Sequence, residues 1–242
     1  MTMACTYRHG AILTGLLCMA GHGTVALAQP VGALGDTIYG GVNVTYSDRS
    51  TQWDDVNAGP LGGHDASGAE FGVQAGYDKG LGPIFIGIAG KFTPDGHGGK
   101  HEDRIFSRQL GIVQHDRSRE KWSAQVAGRI GTQLVGFRPY AKAGLAFSRK
   151  HYSLTGYYRA KEAFAATSST RTGWLLGAGM ERSILPGLAM FAEYTHADFG
   201  SKTERFRCLS GYPDCAASGR NVIPIRLDEK KDDLTVGFNF RF

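Results

Sequence analysis

The chain has 242 residues, of which 42% are hydrophobic and 20% charged, and it carries a formal net charge of +5. This length suits one β domain, and the basic residues do not cluster with interleaved aromatics as nucleic-acid binding requires, so no nucleic-acid partner is expected. Beyond residue 28, no stretch approaches the ~20 consecutive apolar residues of a membrane helix, which excludes helical spanning.

The N-terminal segment, residues 1–28, has the pattern of a secretory signal peptide. Arg8 precedes a mostly apolar run at 11–20 that is too short to span a bilayer, and an A-x-A cleavage site follows at 26–28. A disordered or buried N-terminal segment is the alternative interpretation. We therefore expect an exported domain over residues 29–242.

Eight later segments alternate apolar and polar residues at every second position. They are residues 37–46, 69–78, 84–92, 121–130, 140–148, 173–181, 188–195 and 234–242. A period of two gives a strand one apolar and one polar face. An even number of ~10-residue amphipathic strands is typical of a membrane barrel. The sequence thus predicts an all-β fold, an eight-stranded antiparallel up-and-down transmembrane β-barrel.

The C-terminal segment carries the clearest pattern. Its apolar positions are Leu234, Val236, Phe238, Phe240 and Phe242. A soluble domain usually frays at its end, whereas a strand that places aromatics in a lipid interface has a reason to finish on one. We expect this strand to face lipid and to be the signal for the barrel-assembly machinery. An edge strand of a soluble sandwich is the alternative for this segment alone.

The connections between the predicted strands alternate strictly between short and long. The short ones, rich in Gly and Pro, are 79–83, 131–139 and 183–187, and the long ones are 47–68, 93–120, 149–172 and 196–233. Outer-membrane barrels have this asymmetry, with tight periplasmic turns and longer extracellular loops. We therefore predict four long extracellular loops and both termini on the periplasmic side.

Residues 171–200, RTGWLLGAGMERSILPGLAMFAEYTHADFG, resemble paired strands of the small OmpA-like, opacity-type outer-membrane β-barrel proteins, some of them porin-like. That family has a similar G-W-x-x-G-A-G-x-E stretch, a short turn, and an E-Y that ends in D-F-G. Residues 139–146 and the terminal VGFNFRF are also similar to it. The resemblance implies a barrel in a Gram-negative outer membrane, among outer-membrane lipids and lipopolysaccharide. It implies no substrate.

Charged residues recur on the predicted polar faces. They are Glu70, Lys91, Lys121, Arg129, Lys142, Glu181, Glu193 and Arg241. An eight-stranded barrel is only wide enough for its own side chains, so we expect these groups to pair and plug the lumen. Basic partners such as Arg129, Lys142 or Arg241 should separate Glu181 from Glu193. An ion path lined by these charges is the alternative.

Cys208 and Cys215 are the cysteines that remain after residue 28. The turn-forming residues between them and an oxidising compartment favour a disulfide. A metal-binding pair is the alternative, but no histidine lies near them in sequence.

Two further groups of residues raise other functions. His97, His101 and His115 lie near acidic residues, but no tight spacing of Cys and His supports a metal site. His196, Asp198 and Ser201 superficially suit a nucleophile and its base, but match no hydrolase motif. We expect no catalytic residue, no cofactor and no metal.

The function expected from the sequence is structural support or surface recognition, adhesin-like or antigen-like, through the extracellular loops. A narrow porin-like channel is the first alternative, and a lipid-modifying envelope enzyme is the second. Strand patterning does not carry the identity of a ligand, because loop specificity is independent of the fold.

Overall fold

The computed structural model describes residues 35–57, 59–103, 114–155, 163–209 and 222–242. All of them belong to one compact unit, Val31–Phe242. The expected signal peptide lies outside the described residues and stays a prediction. Among the described residues, no helix is long and apolar enough to cross a membrane.

The described residues form nine strands joined in one antiparallel sheet. The strands are β1 (Thr37–Asp55), β2 (Gly59–Leu81), β3 (Ile84–Thr93), β4 (Gly98–Asp103), β5 (Gln114–Thr132), β6 (Arg138–Thr155), β7 (Ala163–Leu185), β8 (Leu188–Cys208) and β9 (Val222–Arg241). Both β3 and β4 pair with β5, so they are two parts of one barrel strand. The ring therefore has eight barrel strands, and the predicted eight-stranded antiparallel barrel is confirmed.

The ring closes where the first strand meets the last. The register of β1 on β9 runs from Tyr39 opposite Arg241 to Asp55 opposite Ile225. Below this ladder the Phe242 amide donates to the Ile38 carbonyl at 2.9 Å. Closure removes the sheet edges, whose unpaired amides and carbonyls cannot be solvated in hydrocarbon.

The outer face of the ring carries a broad apolar band. In β9, Leu234, Val236, Phe238 and Phe240 point outward and are 36% to 52% exposed, and Phe71 on β2 is 74% exposed. Proteins in water rarely expose so many large apolar side chains on one continuous surface. The band is therefore the lipid-facing surface. The alternation predicted for these strands is confirmed.

Short turns close one end of the barrel, the short-turn end, at residues 82–83, 133–137 and 186–187. Gly82 and Gly187 both have a φ of +74°, a backbone conformation that favours glycine. The glycine-rich short connections are therefore confirmed as tight turns. We call the opposite end of the barrel the far end.

The predicted extents of the four long connections, 47–68, 93–120, 149–172 and 196–233, are wrong. Strand β1 continues to Asp55 and β2 already begins at Gly59, while β8 continues to Cys208. The reason is that the apolar residues, which face outward in the lipid-facing part of each strand, face inward at the far end. In β9, Ile225 and Leu227 are buried inside the barrel and Arg226 is exposed, the reverse of the lipid-facing part. The far end of the barrel therefore projects into water, and apolar-outward alternation stops where the lipid band stops.

Candidate functional site in the barrel lumen

Charged side chains fill the inward positions of the described strands. Of the residues predicted there, Glu70, Lys91, Arg129, Lys142, Glu181 and Glu193 are each less than 10% exposed. The Arg241 side chain is 16% exposed and also reaches this interior. These seven residues come from β2, β3, β5, β6, β7, β8 and β9, so the alternation in separate segments converges on one lumen.

Lys121 is the exception and corrects the prediction. The register of β5 on β6 shifts between Glu120 and Trp122, and Lys121 is exposed on the outer surface. A bulge adds one residue and reverses the facing of everything beyond it. Glu120 takes the inward position instead, is 1% exposed, and accepts a hydrogen bond from Ser148 at 2.8 Å.

The lower network lies nearest the short-turn end and consists of Asp78, Arg129, Arg138, Glu181 and Arg241. Arg129 donates to Asp78 at 2.6 Å and to Glu181 at 3.0 Å. Arg138 lies 3.3 Å from Asp78, and Arg241 pairs with Glu181. The Arg129 guanidinium also lies 4.5 Å from the ring centre of Tyr39. Each carboxylate is therefore held by at least two arginines, the arrangement that makes a buried charge tolerable.

The middle network consists of Lys91, Gln125, Lys142, Glu193 and Asp233. Lys142 donates to Glu193 at 2.7 Å and to Gln125 at 3.1 Å. Gln125 in turn donates to Asp233 at 3.2 Å, and Lys91 lies 3.5 Å from the same carboxylate. Glu193 therefore pairs with Lys142, while Arg129 serves Glu181 one level lower. Two cations and two anions balance at this level.

The upper network lies nearer the far end and consists of Arg49, Glu70, Glu120, Lys150, Arg171, Glu229 and Lys231. Arg49 pairs with Glu70 at 2.5 Å and also contacts Glu120. Lys231 lies 3.6 Å from Glu70 and 3.4 Å from Asp233, which links this network to the middle one. Glu229 forms a separate centre, 3.0 Å from Lys150 and 3.5 Å from Arg171.

An apolar plug covers the upper network inside the far end. Its residues, each at most 1% exposed, are Trp53, Leu61, Tyr152, Leu154, Phe206, Ile225 and Leu227. The ring centres of Trp53 and Tyr152 are 5.8 Å apart in an edge-on arrangement, within the range where aromatic pairs attract. The Tyr152 hydroxyl donates to Glu229 at 2.7 Å, so this residue joins the plug to the charges beneath it.

Sequence reasoning missed several of these residues, although a signal was present. Asp78 follows Glu70 at an even spacing within the segment predicted as a strand. Arg49 continues the inward series of β1 three residues past the predicted end of that strand. Extending the same parity along each strand would have found both. The apolar plug needed the further idea that the apolar face inverts above the lipid band.

The Glu229 centre lies above the lipid band, and its electrostatics are set by burial and by the cations beside it. Burial by itself raises the pKa of Glu229, but the charges of Lys150 and Arg171 and the Tyr152 hydrogen bond outweigh it. The net result is a Glu229 pKa below its ordinary value of 4.5. Burial, reinforced by the Glu229 charge, raises the pKa of Tyr152 well above its usual range. The centre is therefore an ionised carboxylate with a neutral phenol donor.

Acid should loosen the far end of the barrel. Because the pKa of Glu229 is lowered in the folded protein, its stabilisation is complete above 4.5 and is lost as the pH falls through the lowered value. In a protein with W122F and W174F, Trp53 reports on the plug, and its emission should shift to the red as the pH falls well below 4.5. Glu229→Gln is the control and should lack this step. An emission maximum unchanged over the titration would contradict the assignment.

The alternative sites do not assemble in the described residues. Ser201 donates to Asp228 at 2.6 Å, and the His196 ring hydrogen-bonds to Asp232 at 2.8 Å, so the suggested nucleophile and base have separate partners. Within the described ranges, no group of three or more His, Cys, Asp or Glu could hold a metal ion. His97 lies 3.5 Å from Glu70 instead.

The predicted disulfide is described at one end only. Cys208 ends β8 and is disulfide-bonded, whereas Cys215 lies outside the described residues. The pairing of Cys208 with Cys215 therefore stays a prediction.

Comparison with known proteins agrees with this architecture. Two curated relatives, the 31 kDa outer-membrane immunogenic proteins of Brucella melitensis and Brucella suis, are each 27% identical over 138 residues, or 57% of this chain. The matched region spans 56% of the length of these relatives.

One solved structure supports the fold. The outer-membrane protein OprG from Pseudomonas aeruginosa has a TM-score of 0.53 at 12% identity, over 87% of this chain and 97% of its own. The outer-membrane protease OmpT from Escherichia coli has a TM-score of 0.44 at 10% identity, over 85% of this chain and 97% of its own. At 12% identity the likeness to OprG concerns the fold alone, and at a TM-score of 0.44 the likeness to OmpT supports no conclusion about this chain.

The family model described as the outer membrane protein beta-barrel domain matches residues 14–242, nearly the whole chain. That extent includes every strand of the ring and the aromatic C-terminus. The chain therefore belongs to the outer-membrane β-barrel proteins of Gram-negative bacteria and is located in the outer membrane.

Proposed function

We propose that this protein is a non-conducting outer-membrane surface protein whose far end is extracellular and acts as a recognition surface. The observation that carries the proposal is the filled lumen, in which three charge networks lie beneath a fully buried apolar plug. A barrel without a water path offers its outer surface for function. The Brucella relatives are named as immunogenic outer-membrane proteins, which supports exposure at the cell surface.

Two physical barriers oppose conduction. The inward charges of the middle network are already satisfied by one another, as with Lys142 and Glu193 at 2.7 Å, so an ion would have to displace a buried pair. Above them, Trp53 and Phe206 lie 5.7 Å apart between ring centres inside the plug, and such apolar constrictions exclude water. Both features would obstruct the water-filled path that a porin requires.

The far end is suited to recognition because it is rigid where it leaves the lipid. Strands β1 and β2 stay paired up to Asp55 opposite Gly59, so the connecting turn at Val56 is held on a ladder instead of a long loop. Binding residues are commonly carried by connections that a rigid scaffold positions. The plug supports this scaffold from inside.

The orientation can be tested with a matched pair of cysteine substitutions. Val56 lies in the turn at the far end and is 59% exposed, while Val135 lies in a turn at the short-turn end and is 64% exposed. On intact cells, a membrane-impermeant maleimide should label Val56→Cys and leave Val135→Cys unlabelled. The reverse result would contradict an extracellular far end.

The closed lumen is tested by planar-bilayer recording of the refolded parent protein. We expect no steady conductance above the bilayer baseline, because paired charges and the buried plug fill the lumen of the described strands. Reproducible, long-lived conductance steps would overturn the proposal and favour the narrow porin. Cell labelling and conductance are independent, so each can fail without the other.

A further inference from the structure

The outer wall above the lipid band is basic on one side of the barrel. The charged outward residues of β5 and β6 there are all exposed, and they are Arg117, Arg119, Lys121 and Arg149. Glu120 is the one acidic residue in the sequence between Arg117 and His151, and it points inward and is buried. Arg119 lies 3.6 Å from Asp95, and both of these side chains are more than half exposed. We call this surface of β5 and β6 the basic face.

Another part of the wall at this height is acidic. The outward acidic residues of β1, β2 and β9 above the band are Asp48, Asp54, Asp65, Asp228 and Asp232. Arg226 and Lys230 are the basic residues exposed among them. Asp48 lies directly opposite Asp232 in the register of β1 on β9, so two carboxylates occupy one level. Like charges at opposed positions repel each other, and a cation outside the wall relieves the repulsion. We call this surface the acidic face.

The two faces lie on opposite sides of the ring. Around the barrel, β8 and β7 separate β9 from β6 in one direction. In the other direction, β2 and the barrel strand formed by β3 and β4 separate β1 from β5. The same number of barrel strands therefore separates the faces on both sides, and their centres are diametrically opposed. A copy of this protein beside another can then turn its basic face to the acidic face of its neighbour.

Both faces begin at the upper edge of the lipid band. Asp48 is two residues beyond Tyr46 on β1, and Tyr46 is one of the exposed outward side chains of the band. On β6, Arg149 is likewise two residues beyond Phe147, which also points outward. All copies in a membrane share its plane, so the charges of one copy meet opposite charges at the same height in the next. Complementary potentials of this kind favour a specific contact.

The sizes of the lipid-facing side chains are also complementary. Below the acidic face, Val42 lies opposite Phe238, and both large side chains are exposed. Below the basic face, Ala143 lies opposite Gly128, and neither residue extends beyond a β-carbon. Each pair lies six residues below the first charged residue of its face, a distance of about 20 Å along the strand. The large pair therefore meets the small pair when the charged faces meet.

We propose that the acidic face of one copy binds the basic face of a second copy, so that this protein associates head to tail in the plane of the outer membrane. Because the two faces are diametrically opposed, a copy that binds on one side keeps the complementary face free on the other. Such contacts generate open rows instead of closed dimers. The association goes beyond recognition at the far end and does not depend on whether the lumen conducts.

Several weak contributions act together in this contact. One exposed ion pair contributes little by itself, but each face carries several charges above a matched apolar surface. The membrane also fixes the orientation of every copy in advance, which lowers the entropy lost on association. Raising the ionic strength to about 1 M, where the Debye length is about 3 Å, should therefore weaken the association.

A zero-length cross-linker identifies the contact. A carbodiimide joins a carboxylate directly to an amine, and it is applied to the refolded protein in lipid vesicles at low ionic strength. Mass spectrometry should then find Lys121 of the basic face joined to Asp48 or Asp65 of the acidic face. These residues lie on opposite sides of one barrel, so the link can form only between copies. Cross-linked dimers that lack this link would overturn the head-to-tail arrangement.

Charge reversal tests whether the opposite signs of the faces hold the copies together. The acid-reversed variant carries Asp48→Lys, Asp54→Lys and Asp65→Lys, and the base-reversed variant carries Arg117→Glu, Lys121→Glu and Arg149→Glu. Each should self-associate at least about tenfold more weakly than the parent, because its two faces then carry the same sign and repel. Energy transfer between copies labelled at Val135→Cys in vesicles measures the association, and heat-dependent gel mobility verifies that each variant is folded.

Rescue separates a lost contact from damage to the barrel. The variant that combines all six reversals again has faces of opposite sign, and it should associate within about threefold of the parent. An equimolar mixture of the acid-reversed and base-reversed variants should also associate. A six-residue variant that associates no better than either half would overturn the proposal.

A matched pair of bulky substitutions tests the fit inside the lipid band. Ala143→Phe fills the small site below the basic face without changing charge, and it should weaken association. Ala192→Phe adds the same bulk at an exposed position on β8, outside both faces, and should leave association unchanged. Equal effects of the two variants would contradict the proposed contact within the band. A parent protein that stays monomeric in densely loaded vesicles would overturn the proposal as a whole.

Discussion

Arg129→Ala should destabilise the folded barrel by about 3–5 kcal/mol, the usual cost of removing one partner from a buried ion pair. Arg129 is 5% exposed and holds both Asp78 and Glu181 in the lower network. Its removal leaves two carboxylates in a confined, poorly solvated site. The Tyr39 and Tyr140 rings also lose the guanidinium, which lies 4.5 and 4.9 Å from their centres.

Urea unfolding in lipid vesicles, followed by tryptophan emission, measures this loss. Lys121→Ala is the informative control, since Lys121 follows the same sequence pattern yet is exposed outside the bulge. Its effect should stay within about 0.5 kcal/mol, as for other surface substitutions. A loss below about 1 kcal/mol for Arg129→Ala would mean that Arg138 and Arg241 suffice to hold the two carboxylates.

Ala178→Arg should impair insertion and folding by about 2–4 kcal/mol, the cost of an arginine on the lipid face near the bilayer midplane. Ala178 on β7 is exposed on the apolar band, with Ala141 opposite it on β6 and Tyr194 opposite it on β8. The outward position leaves the guanidinium no internal partner. The medium around this position is lipid instead of water.

Vesicle insertion and the urea midpoint report this effect together. Ser67→Arg on β2 makes the same change at an exposed position above the band, and it should alter stability by no more than about 0.5 kcal/mol. Similar losses for both variants would contradict the assigned height of the band. Normal insertion of Ala178→Arg would contradict the assigned face of β7.

These variants also separate the two environments of the barrel wall. In the lipid band the outward positions must be apolar, while above it the inward positions form the plug. Leu234 and Leu227 lie on the same strand, yet the first points outward to lipid and the second inward to Trp53 and its neighbours. The point on β9 at which the apolar residues change from outward to inward positions thus marks the upper limit of the membrane. A strand with its apolar residues on the same face throughout could not suit both media, because lipid requires them outside and water requires them inside.

The amino-acid sequence by itself determined the features that depend on local pattern. The alternation of residues 234–242, the recurrence of that period in eight segments and the glycine-rich turns predict the closed barrel and its lipid face. These features are readable because side-chain direction in a strand depends only on position along it. For the same reason, seven of the eight predicted lumen charges lie inside.

The tertiary structure alone decided what depends on contacts between distant strands. The bulge at Lys121, the pairing of Glu193 with Lys142, and the break in β7–β8 pairing between Ala166 and Trp174 each follow from register between segments separated in the chain. A single inserted residue reverses the side of the sheet that the following side chains face. Two basic residues on neighbouring strands are equally good partners for a carboxylate until the strand register sets their heights in the barrel. Alternation gives each side chain its face, whereas only the closed ring gives it a partner.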